Sequence, residues 1–278
     1  MTAPGQQWAT EGLAPLDRPG LATRLLLRAV AVVEGLNRKH AKLGNPCVYA
    51  TSDFPWAVEL ERDWRSIRAE LDKVLARRSE LPNVQDITTD ARSITDDDQW
   101  KIFLFTAYGV RSPPNCALCP ATWRAVRRIP GLQTAMFSIL APGKHLPPHR
   151  GPYNGVLRLH LGLVVPQPRD ALGIRIGDAL RHWKEGEALV FDDAYEHEAW
   201  NHSDGERVVL FVDFVKPLAF PAALLNALLL RVARHTPFLR EGSDNLRRWE
   251  RRFHASATAE RAAPQAGSRR SAGAMKRR

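Results

Sequence analysis

The hydrophobic period of this chain changes along its length, and the change limits the fold. From residue 133 the apolar period changes from helical to two, in a series of short segments, and after Pro217 it turns helical again. The clearest stretch is residues 155–165, GVLRLHLGLVV, where Leu157, Leu159, Leu161 and Leu163 alternate with Arg158, His160 and Gly162. Alternate side chains of a strand point to opposite faces, so one face is hydrocarbon and the other carries a cation, an imidazole and no bulk. Strands are predicted over 133–141, 156–165, 172–177, 187–192 and 206–216, with an earlier one over 100–110. Segments rich in Pro, Gly, Asn and Asp separate them, among them APGKHLPPHRGPYNG and NHSDGE. Many short, closely spaced strands imply a mainly β core, as a sandwich or barrel.

Helical flanks are expected on both sides. One helix is predicted from about 20 to 38 and another over 52–78, where Ser52 or Asp53 can cap and Pro55 suits the first turn. Residues 79–99 read as loop, 119–129 as a short helix, and the chain turns helical again after Pro217. The expected organisation is a flexible N-terminus (1–19), a single domain (20–240) and a basic, disordered tail (245–278). Within the domain, the β core covers about 100–217 and the helical flanks 20–78 and 221–240. With 278 residues, 44% of them hydrophobic, there is chain enough for a sizeable core.

The formal charge of +10 is concentrated rather than spread: residues 245–278 carry ten Arg or Lys against two Glu, leaving the main domain nearly neutral. Nucleic acid is therefore not the expected partner. Three cysteines, an odd number, argue against a disulfide framework and suit a reducing compartment, so the expected location is cytoplasmic. Cys116 and Cys119 form a lone CxxC with no second pair to complete a zinc site, and are expected to be buried thiols. No stretch reaches the ~18–20 apolar residues of a membrane span, and no signal peptide is evident. Residues 21–36 and 222–234 are apolar with interspersed arginines; they suit packing on the domain's own core or lying on the inner face of a membrane as a peripheral contact.

Three of the nine histidines sit around the strand-rich region: His149 just before the opening strand, His160 within it, and His197 just past a later one. Neutral imidazole is a good ligand for first-row metals, and a barrel mouth can gather side chains around one ion. Arg158 and Arg207 are expected on inward positions, with Val209, Phe211 and Asp213 sharing the face of Arg207. A buried arginine needs an anion. Either internal pairs to Asp192, Asp193 or Asp213 supply it, or a small dicarboxylate binds beside the metal.

Two long strings, FSILAPGKHLPPHRGPYNGVLRLHLGLVVP and WKEGEALVFDDAYEHEAWNHSDGERVVLFVDFVKP, resemble the aspartyl/asparaginyl β-hydroxylase family over roughly residues 80–217. The resemblance implies a double-stranded β-helix, a jelly roll of cupin-like type. It implies an Fe(II)- and 2-oxoglutarate-dependent dioxygenase that couples oxidation of 2-oxoglutarate by O2, to succinate and CO2, to hydroxylation of an unactivated C–H. Carried over, it makes His149 and His197 the iron ligands, sets Arg158 and His160 on the nearer carboxylate of 2-oxoglutarate, and sets Ser138 and Arg207 on the distal one. Related oxygenases add a carboxylate two residues after the first histidine; here that position is Gly151, and Asp192, Asp193, Glu196 or Glu198 could fill the place. The expected substrate is a peptide or amino-acid derivative; the alternatives are a membrane-lipid acyl chain, of lipid A or ornithine-lipid type, and a non-catalytic binding module. PYNGVLR resembles the lipid-modifying branch and EHEAWN the peptide branch.

Overall fold

The computed structural model describes residues 21–234 and 237–262. The expected flexible segment 1–19 and the last part of the expected tail, 263–278, lie outside the described residues. The chain opens with α1 (Leu21–Lys39), β1 (Val48–Tyr49), α2 (Pro55–Arg62), α3 (Trp64–Leu75) and the single turn α4 (Val84–Ile87). Next come β2 (Trp100–Ala107), β3 (Val110–Arg111), α5 (Pro113–Leu118), α6 (Pro120–Val126), β4 (Leu132–Leu140), β5 (His145–His149) and β6 (Val156–Val164). It closes with β7 (Leu172–Ile176), β8 (Ala179–Arg181), β9 (Ala188–Phe191), β10 (His197–Asn201), β11 (Arg207–Val215), α7 (Ala222–Ala233) and α8 (Pro237–Ala262).

The strands form two antiparallel sheets, a seven-stranded one in the order β1-β9-β6-β11-β4-β2-β3 and a four-stranded one in the order β5-β10-β7-β8. This is a cupin-like jelly-roll core with flanking helices. The alternation of β6 explains its place in the large sheet. Leu157, Leu159, Leu161 and Leu163 are fully buried on the outer face, where α3 packs through Ile67, Leu71 and Val74. Arg158, His160 and Gly162 face the other way, into the space between the sheets. Phe103 of β2, beside Phe105 and Phe137, meets Trp249 and Phe253 of α8.

Several expectations are corrected. The single helix expected over 52–78 is a 3-10 turn followed by α2 and α3, which part at Asp63. The loop at 79–99 contains α4, closed by a reciprocal capping box between Asn83 and Asp86. Residues 245–262 of the expected disordered tail belong to α8, whose Leu246, Trp249 and Phe253 are buried. Arg77 lies over the Phe253 ring at 3.8 Å, and Trp249 Nε1 donates to the Glu80 carbonyl at 2.8 Å. Cys116 and Cys119 are free, buried thiols, both pushed up by burial, Cys116 to about 11. Among the described residues no helix is long and apolar enough to cross a membrane.

Candidate active site

Two strands that periodicity does not reveal bring the histidines together. β5 is HLPPH and lies at the edge of the small sheet, where its two prolines cost no ladder bonds on the open side. β10 pairs with it so that His197 stands opposite His149. His149 therefore ends a strand and His197 begins one, rather than both lying in loops. Their ring centroids are 4.3 Å apart. Each ring meets the carbonyl two residues earlier through Nδ1, His149 on Pro147 at 2.7 Å and His197 on Tyr195 at 2.9 Å. Nδ1 must then carry the hydrogen, which leaves the lone pair on Nε2 of both rings. Burial lowers the pKa of both, so both are neutral. Two neighbouring neutral imidazoles with fixed tautomers, each keeping its Nε2 lone pair, fit a first-row metal such as iron.

Glu196 and Glu198 alternate away from His197 and pair with Arg175 on the outer surface, Glu198 also with His145. Asp192 is held by Lys216 at 2.7 Å. Of the four carboxylates weighed for the third metal position, only Asp193 lies at the histidine pair. A Cβ built on Gly151 would collide with the Asp193 carboxylate, so the aspartate fills the space a side chain at 151 would need. Asp193 Oδ1 is buried without a partner, while Oδ2 meets Arg158 at 2.9 Å. Among the described residues no group of three or more His, Cys, Asp or Glu side chains is arranged to hold a metal.

Below the histidines the inner face of the large sheet is polar in rows. Arg158 stands opposite Asp213, His160 opposite Phe211, and Gly162 and Ser138 flank Val209. Arg207, 2% exposed, lies on the same face, as alternation predicts. The two arginines differ. Arg158 pairs with both Asp193 and Asp213, the latter at 2.8 Å; burial alone would lower its pKa, but the two carboxylates raise it further. Arg207 has no partner for Nε or Nη1, and burial pushes its pKa down to about 9. It remains a cation at neutral pH, with the Trp183 ring 4.5 Å from its guanidinium. Both ring nitrogens of His160 are also buried without partners. Burial, then the nearby Arg207 and Arg158, keep that ring neutral. Ser138 Oγ accepts from Trp100 Nε1 at 3.0 Å and keeps its own hydrogen to donate. Unsatisfied donors around a buried cation define a place for an anion.

Trp183 was not foreseen. Gly162 places it: a Cβ there would strike the Lys184 carbonyl. Without one, the segment after Trp183 runs against β6, with Gly162 N–H donating to the Glu187 carbonyl at 3.1 Å. The glycine thus makes room for backbone, not for a ligand carboxylate as its place beside His160 suggests.

Two neutral imidazoles face each other in this jelly roll, which also buries an arginine whose Nε and Nη1 have no partner. The family model described as Aspartyl/Asparaginyl beta-hydroxylase matches residues 61–217, and the chain belongs to that family of hydroxylases. It is 60% identical to the ornithine lipid ester-linked acyl 2-hydroxylase of Rhizobium tropici, over 94% of this chain and 93% of that protein. It is 33% identical to the human aspartyl/asparaginyl beta-hydroxylase over 58% of this chain but 21% of the human protein. Among solved structures, a Pseudomonas putida prolyl-4-hydroxylase aligns over 55% of this chain and 87% of its own, with 19% identity and a TM-score of 0.36.

Proposed function

We propose that the protein is an Fe(II)- and 2-oxoglutarate-dependent hydroxylase of a lipid acyl chain, with an ornithine-type amino-acid lipid as substrate. The observation that carries this reading is the reach of the similarity. Likeness to the human aspartyl/asparaginyl beta-hydroxylase covers 58% of the chain, whereas likeness to the Rhizobium tropici ornithine lipid hydroxylase runs through 94% of it. This reading takes the lipid alternative over the peptide or amino-acid substrate expected from the sequence.

When bound, iron would supply the O2 chemistry and 2-oxoglutarate its two electrons, leaving succinate, CO2 and the hydroxylated chain. His149 and His197 would hold the metal through Nε2. Arg207 and Ser138 would hold the distal carboxylate, Arg207 offering N–H groups of its guanidinium, where Nε and Nη1 have no partner, and Ser138 its hydroxyl hydrogen. His160, neutral and unpartnered, would donate one N–H to the nearer carboxylate. Arg158 is already bound by two aspartates, so its role becomes holding Asp193 beside the histidines. The buried aromatic walls, Phe191, Phe211 and Trp183 around His160, exclude water.

The test is an incubation of purified enzyme with Fe(II), 2-oxoglutarate, ascorbate and either an ornithine lipid or an aspartate-containing peptide. Mass spectrometry should find one added oxygen on an acyl chain, matched by succinate, and His149→Ala should lose both. Oxygen added to the peptide alone would overturn the lipid reading.

A further inference from the structure

The fold leaves one helix face uncovered. Phe220, Leu224, Leu228 and Val232 recur every fourth residue and are 78%, 63%, 57% and 55% exposed. The opposite side of α7, at Ala222, Asn226 and Leu230, is buried. Val32 of α1, the helix packed on α7, is 64% exposed. Single exposed apolar residues are ordinary; a row of three along one helix, continued by Phe220 just before its start, marks a contact surface.

Charge identifies what the surface meets. Arg24, Arg28 and Lys39 of α1 and Arg231 of α7 are exposed. The two helices hold one acid, Glu34, and its carboxylate is turned inward to accept from the Asn154 backbone N–H at 3.2 Å. An apolar stripe with cations and no outward acid is complementary to an anionic bilayer: the side chains enter the acyl boundary while guanidinium groups meet phosphates.

The same helices hold the loop that follows the first histidine. Asn37 Nδ2 donates to Tyr153 Oη at 2.9 Å and to Asn154 Oδ1 at 3.1 Å. Tyr153 Oη donates to Asn226 Oδ1 at 2.6 Å, and Asn226 Nδ2 donates to the Gly155 carbonyl at 2.9 Å. Asn37 and Asn226 are fully buried, so these bonds are shielded from water. Tyr153 lies four residues past His149.

We propose that the α1–α7 pair, with Phe220, Leu224, Leu228 and Val232 foremost, is the surface on which this enzyme sits on an anionic bilayer, and that Tyr153–Gly155 ties the histidine pair to it. The proposal rests on the lipid-substrate reading for its purpose, but its test does not use turnover on lipid. Full-length enzyme is floated with vesicles of phosphatidylcholine alone or mixed equally with phosphatidylglycerol. The protein should rise with the anionic vesicles and stay behind with the neutral ones. The combined variant Phe220→Ser, Leu224→Ser, Leu228→Ser should bind the anionic vesicles at least roughly tenfold more weakly, given the transfer energies of three large apolar side chains, while keeping the wild-type melting temperature. Arg24→Gln, Arg28→Gln and Arg231→Gln together should erase the preference for anionic vesicles. Wild-type protein that fails to float, or a serine variant that floats equally well, overturns the proposal. So does a wild-type dimer in sedimentation that the serine variant dissolves, since a second copy would then cover the face. Flotation without hydroxylation of ornithine lipid would leave the surface standing and remove the substrate.

Discussion

Arg158 and Arg207 stand on one face of one sheet, both inside the jelly roll, and are held in opposite ways. Arg158 lies between Asp193 and Asp213, with the Phe211 ring 4.2 Å from its guanidinium. Arg207 has an indole beside it and two nitrogens with nothing to bond. In the first corner the chain itself supplies the counter-charge, with Asp193 Oδ1 left as the unbonded atom, and the pair fixes geometry beside the histidines. In the second the chain supplies no counter-charge, which is why the proposed function sets an anion there. Burial alone does not tell a structural arginine from a binding one; whether the chain supplies its counter-charge does.

The largest test of this contrast is Arg158→Met. It leaves Asp193 and Asp213 together without their shared cation, and breaking such a buried pair costs about 3–5 kcal/mol. The ligand-free protein should melt about 10 °C lower by calorimetry, at about 2–4 °C per kcal/mol for a chain of this size. A melting point within a degree or two of wild type would show that the two aspartates do not depend on it. Arg207→Met is the converse. Removing an unpaired buried charge should leave the ligand-free melting temperature unchanged or raise it. The 2-oxoglutarate concentration for half-maximal succinate release should rise about 10–100-fold, the worth of a charged hydrogen-bonding partner. If this variant is destabilised as much as the first and its 2-oxoglutarate requirement is unchanged, the contrast is wrong.

What the sequence could disclose divides along the same line. The leucine alternation of β6 and the face shared by Arg207, Val209, Phe211 and Asp213 follow from a two-residue period, and both stand in the structure. β5 and β10 were missed because HLPPH and HEAWN carry too little apolar alternation to register; pairing across the small sheet makes them strands. The helical spacing of Leu246, Trp249 and Phe253 is present, but a stripe three residues wide is masked among four arginines, so α8 read as tail. The family strings named the histidines and arginines. Which arginine the chain itself neutralises depends on Asp213 of the neighbouring β11 and Asp193 of the β9–β10 turn meeting Arg158, both far from it in sequence, and no local pattern records that. Nor does any pattern show that Gly162 answers to the Lys184 carbonyl and so brings Trp183 over Arg207.

The smallest effect should come from Ser138, on the strand beside Arg207. Its hydroxyl accepts from Trp100 Nε1 and can donate once more, so in the proposed site it serves the frame and the ligand at once. Ser138→Ala removes one hydrogen bond from an uncharged donor to the distal carboxylate, at the low end of the about 1.5–3 kcal/mol of a bond to a charged group, so the 2-oxoglutarate requirement should rise about tenfold. It also strands the buried indole N–H, so the melting temperature should fall. Trp100→Phe separates the two effects. It removes the donor to Ser138 while keeping the hydroxyl, so the 2-oxoglutarate requirement should stay near wild type. In the double variant the melting penalty of Ser138→Ala should shrink, because no indole is left unpaired, while its effect on 2-oxoglutarate should persist. If Trp100→Phe alone raises the requirement as much as Ser138→Ala, the serine acts only by holding the tryptophan, and the anion site is reduced to Arg207.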